Sequence, residues 1–192
     1  MPYVKVAAVV IGVLFGAGSV AAESPGRESG KASGFLDRLT GEWSGVAVAV
    51  LGPGQEPRRI ESREVARLLG GRWLVIETTH LLGGRSRTSI FTIGYDAVRE
   101  GFVGTYVDEG QAHLWFYTGD LDDTGSVLTL DTEGPIFGDP TTTTKYRVVI
   151  EIEGVGHRVM RSSILGPDGE WFEFARAETR RNDGASSEGG ER

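Results

Sequence analysis

The chain has 192 residues, 39% of them hydrophobic and 24% charged, with 29 glycines and no cysteine, the make-up of one soluble domain with some excess. Without cysteine there is no thiol nucleophile and no cysteine-built zinc or iron-sulfur site. A formal net charge of -7 is the opposite of the basic footprint of a nucleic-acid binder, so nucleic acid is not an expected partner.

In chain order, residues 1–22 carry a single charge, Lys5, then an apolar run over 6–15 and a small-residue stretch over 16–22. This fits a secretory signal cleaved after Ala22, because the apolar part is too short for a spanning helix. Cleavage removes Lys5 and no acid, leaving a more negative chain that should neither insert into a membrane nor adhere to anionic lipid. The expected location is the bacterial periplasm or the medium. Residues 23–33 read as a flexible leader and 180–192 as a disordered tail, both polar and glycine-rich. Between them, 34–179 is one unit without a linker-like break or a repeat.

Helical periodicity in that unit is confined to 34–39, after a capping Ser33. The rest alternates β-branched and aromatic residues with polar ones between turns, and predicts ten strands at 41–51, 58–69, 72–82, 87–95, 101–108, 112–120, 127–133, 141–153, 157–165 and 170–179. Gly52-Pro-Gly54, Gly70-Gly71, Gly83-Gly84, Asp122-Asp-Thr-Gly125 and Gly166-Pro-Asp-Gly169 supply the positive or preset φ that chain reversals need. Short turns make sequential strands antiparallel neighbours, and rolling them into an up-and-down barrel removes the exposed edges. About eight strands make an interior that side chains just fill, so a ten-stranded barrel is expected to enclose a cavity.

Strand parity names the candidates for that cavity. On the second strand Ile60, Ser62, Glu64, Ala66 and Leu68 share the more apolar parity, which places Glu64 inside, where a carboxylate needs a cation, a hydrogen-bonding partner or a raised pKa. Arg161 and Arg176 are the expected partners. On the third strand both parities carry apolar residues, so either His80 or Glu77 lines the cavity. On the sixth, Trp115 and Tyr117 form an aromatic ladder with His113, suited to an apolar ligand wall or to core packing. The outer parity of the second strand carries Arg59, Arg63 and Arg67, a solvated stripe or a face for an acidic partner. His80, His113 and His157 stand on different strands without metal-ligand spacing. Asp120, Asp122, Thr124, Gly125 and Asp131 imitate part of a calcium loop but read as a hairpin turn, since the terminal glutamate is missing. No catalytic residue, metal or cofactor is assigned.

Gly41-Glu-Trp43-Ser-Gly45 resembles the Gly-x-Trp-x-Gly entry of lipocalin-like (calycin) barrels, in which the tryptophan closes one end. Leu39-Thr-Gly-Glu-Trp43, Leu68-Leu-Gly-Gly-Arg-Trp73, Ile93-Gly-Tyr-Asp96, Tyr106-Val-Asp108, Glu133-Gly-Pro135 and Leu165-Gly-Pro-Asp-Gly169 resemble, in this order, the bacterial domain-of-unknown-function family numbered 1579. That resemblance implies an all-β, lipocalin-like barrel with a structural role for Trp43, and no catalytic residue. The heme-binding nitrobindins share the entry motif but place a histidine near the C-terminal strands, whereas the last strand here has none.

The expected function is therefore an exported barrel that binds a small apolar molecule. Trp115 and Tyr117 would supply apolar wall, with His80, Glu64 and Arg161 or Arg176 as polar groups. The alternatives are an acid-base enzyme using Glu64 or Glu77 with a histidine, and a heme barrel using His80, His113 or His157. Oligomeric state is left open.

Overall fold

The computed structural model describes residues 27–182 apart from positions 51, 53 and 138. The expected export signal, residues 23–26 of the leader, Pro53 of the first turn and residues 183–192 of the expected tail lie outside the described residues.

A helix, α1 (Arg27–Leu39), precedes ten strands: β1 (Gly41–Ala49), β2 (Arg58–Leu69), β3 (Trp73–Leu82), β4 (Arg85–Asp96), β5 (Gly101–Asp108), β6 (Trp115–Leu121), β7 (Val127–Ile136), β8 (Asp139–Gly154), β9 (His157–Leu165) and β10 (Trp171–Arg181). Every strand pairs antiparallel with its sequence neighbours, and β1 pairs with β10, so the sheet closes on itself as the up-and-down order requires. At the β3–β4 reversal Gly83 and Gly84 take φ of 57° and 79°, the two positive angles whose twist matches that of the flanking strands.

Alternation sorts the barrel's two faces. Inward positions on β3 and β4 include Leu74, Ile76, Ile93 and Phe91, all buried, and they continue through Phe102, Trp115, Tyr117, Leu130, Tyr146, Val148 and Ile150 into one core. On β3 the parity left open by sequence is settled by this core: His80 shares the inward face with Leu74 and Ile76, and Glu77 lies on the exposed one.

One end of the barrel is plugged. Ala32, Phe35, Leu36 and Leu39 of α1 fall on one helical face and are all buried, with Phe35 edge-on to Phe102 of β5 at 6.2 Å between ring centroids. Trp43, at the start of β1, is 1% exposed and donates its indole N–H to the Leu39 carbonyl at 3.0 Å. The guanidinium carbons of Arg158 and Arg181 lie 4.5 and 4.7 Å from its ring centroid, close enough for cation–π attraction. Arg181 also donates to the carbonyls of Arg38 and Thr40 at the helix end.

Four expectations are corrected. The helix begins at Arg27 instead of Gly34, so part of the expected flexible leader is helical; a polar segment gains helical order when one apolar face docks on a core. The sixth strand begins at Trp115, leaving residues 112–114 in the preceding loop. Arg180 and Arg181, assigned by sequence to the tail, extend β10 and pair with Ser44 and Trp43 of β1. The first strand stops at Ala49, short of position 51.

Candidate functional site

Opposite the helical plug the barrel is open, and a cavity of about 790 Å³ runs inward from that mouth. Its two walls differ. On the β2–β5 side the inward register places Ser62 against His80, Glu64 against Thr78, Thr78 against Ser89, and Ser89 against Asp108, and these six polar side chains all line the space. From β6 round to β10 the wall is aromatic, with Trp115 edge-on to Tyr146 at 5.0 Å and Phe137 against Phe174 at 5.1 Å between ring centroids, and Phe91 of β4 extends it by tilting against Tyr117 at 5.1 Å.

Deep in the cavity, buried Glu64 is met by Arg158 of β9, whose Nη2 donates to Glu64 Oε2 while its Nε donates to Thr179 Oγ1 at 2.9 Å. Arg158 is a residue that sequence reasoning missed. Arg161 and Arg176, the expected partners, are corrected: neither lines the cavity. Arg158, Met160 and Ser162 take the inward parity of β9, which turns Arg161 outward to Glu151 at 2.8 Å. On β10 a bulge between Glu173 and Ala175 switches the parity. Phe174 before the switch and Ala175, Ala177 and Thr179 after it face the cavity. Arg176 therefore faces out and approaches Glu178 at 3.3 Å.

His80 lies on the polar wall with Nε2 3.0 Å from Ser89 Oγ. Burial holds its imidazole below the ordinary value of 6.5, against the opposing pull of the nearby Asp108 and Glu64 carboxylates. The Tyr106 hydroxyl adjoins Ser89 and Asp108, and burial raises its pKa, as it does that of Tyr117. Trp115 is anchored by its indole N–H donating to Gln111 Oε1 at 3.0 Å. Ser62, Thr78 and Tyr117, by contrast, line the cavity with side-chain hydroxyls that have no hydrogen-bond partner among the described residues.

The other candidates lie elsewhere. Glu77 is on the outer face. His113 stands beside Trp115 at 4.7 Å between ring centroids, and His157 approaches Glu153 at 3.3 Å; neither lines the cavity. Arg59 and Arg63 line a second, outer depression that Arg67 does not reach. Asp122 folds its carboxylate onto the backbone N–H groups of Ser126 and Val127 and onto the Thr124 hydroxyl, which together lower its pKa to about 2. That is a hairpin turn. Among the described residues no group of three His, Cys, Asp or Glu side chains is placed to hold a metal ion.

A family model described as a protein of unknown function, DUF1579, matches residues 28–181. Among solved structures, the crystal structure of Rv2717c from M. tuberculosis superposes with a TM-score of 0.58 at 16% identity, covering 79% of this chain and 97% of that one. The likeness is one of fold. Comparison with curated proteins finds no match.

Proposed function

The chain belongs to the DUF1579 family of proteins of unknown function, and on that premise we propose that its barrel binds a small, mostly apolar molecule in the interior. The observation that carries this reading is a cavity of about 790 Å³, within the range that small-molecule sites occupy. An aromatic wall provides area for apolar contact, and the unpartnered hydroxyls of Ser62, Thr78 and Tyr117 provide a few fixed polar contacts for orientation. Glu64 is tied through Oε2 to Arg158, which compensates its charge at the cavity floor.

The same proposal includes export. Its support is the pattern of Lys5, the apolar run and the small-residue stretch ending at Ala22. Intact mass measurement of the expressed protein tests it by asking whether the mature chain starts at Glu23.

Binding is tested on the purified mature protein by native mass spectrometry, solvent extraction, and thermal-shift assays with fatty acids and hydrophobic metabolites. A co-purifying molecule or a ligand-dependent rise in melting temperature is expected. An empty protein that no compound stabilises overturns the reading.

A further inference from the structure

We propose that the cavity selects a carboxylate-headed amphiphile, held with its head at the mouth by Arg58 and Arg85 and its apolar body against the aromatic wall. The inference rests on interior binding as proposed above and adds the charge of the ligand.

Charge distribution carries it. Among the described residues, five arginines (Arg58, Arg85, Arg87, Arg147 and Arg158) and two carboxylates (Glu64 and Asp108) line the cavity, in a chain whose net charge is -7. Three of those arginines have carboxylate partners: Arg158 pairs with Glu64, Arg87 approaches Asp108 at 3.4 Å, and Arg147 grips Asp131 through two hydrogen bonds. Arg58 and Arg85 have no carboxylate partner among the described residues.

Both belong to the inward register. Arg58 is the partner of buried Ala49, and Arg85 of Leu82, which shares the face of His80. They enter the mouth from the two strands flanking β3, so the cavity focuses positive potential at its entrance. Arginine presents a planar fork that matches a carboxylate with paired hydrogen bonds. Below the rim the charged groups are already paired, Glu64 with Arg158 and Asp108 with Arg87, and the aromatic rings add none, which favours a single anionic head on an apolar body.

The test compares matched pairs that differ only in the head: dodecanoate with dodecanol, and 2-naphthoate with 2-naphthol, titrated calorimetrically at pH 7.5. The acids are expected to bind on the order of tenfold more tightly than the alcohols, with the margin shrinking as salt is raised. The R58Q/R85Q variant should bring acid down to the level of alcohol, while R67Q on the outer face should leave the margin intact. Equal affinities within each pair in the wild-type protein, or a margin that survives R58Q/R85Q, would overturn the assignment of the head while leaving interior binding in place. No binding by any of the four compounds would overturn the assignment of the head, and interior binding falls with it when the protein also carries no co-purifying molecule and no compound of the wider panel stabilises it.

Discussion

Glu64 of β2 and Arg158 of β9 meet inside the barrel although 94 positions separate them in the chain. Their side chains are 9% and 6% exposed, so each is the other's charge compensation. The same guanidinium lies over Trp43 and donates to Thr179, joining the floor of the cavity to the plug that closes the barrel behind it.

Removing one partner alone leaves a buried uncompensated charge. Arg158→Leu is expected to cost about 3–5 kcal/mol in chemical denaturation, whereas Glu64→Leu combined with Arg158→Leu should recover most of that loss. A single variant as stable as wild type would show the pair to be dispensable.

Trp43 is held by packing, one hydrogen bond and two guanidiniums. Trp43→Ala should destabilise by about 3–5 kcal/mol. Trp43→Phe keeps most of the buried ring and removes the bond to Leu39, so about 1 kcal/mol is expected in the same assay.

His80 gives the fold a pH dependence of defined sign. Its folded pKa lies below 6.5 because burial disfavours the imidazolium. Between the folded value and 6.5 the unfolded chain therefore binds more protons, and stability rises with pH. His80 withdraws no stability above that window and progressively more as pH falls through it. Melting temperatures from pH 8 to pH 5 should drop more steeply for wild type than for His80→Gln; parallel curves would contradict this.

Gly134 of β7 is the seat of Trp115: a Cβ built there would stand 2.3 Å from the indole Cζ3. Gly134→Ala should push the ring off its place, at a cost of about 1–3 kcal/mol. The displacement is read as a change in tryptophan fluorescence, accompanied by weaker binding of any ligand that uses the aromatic wall. Unchanged fluorescence would mean that the strand shifts instead of the ring.

Much of the architecture is legible in the residues themselves. The alternation in Ile60-Glu-Ser-Arg-Glu64 and the paired glycines at 83 and 84 mark a strand and its reversal, because period and turn chemistry are properties of neighbours along the chain. The helix was legible only in its second half. Its first turns contain Gly30, Lys31 and Ser33, a composition indistinguishable from a linker until Ala32 and Phe35 find the barrel end to cover.

What the linear order determined by itself was a chain of ten sequentially paired ribbons with a carboxylate on an inward parity. Which arginine met that carboxylate, and which face β10 turned inward, were decided by closure, while β3 took its inward face from its register with β2 and the shared core. Joining β10 to β1 set the register around the whole ring, and the single extra residue near Phe174 reversed every side chain after it. A one-residue change of register exchanges the two faces of a strand. No local pattern carries that information, because it depends on where the far end of the sheet comes to rest.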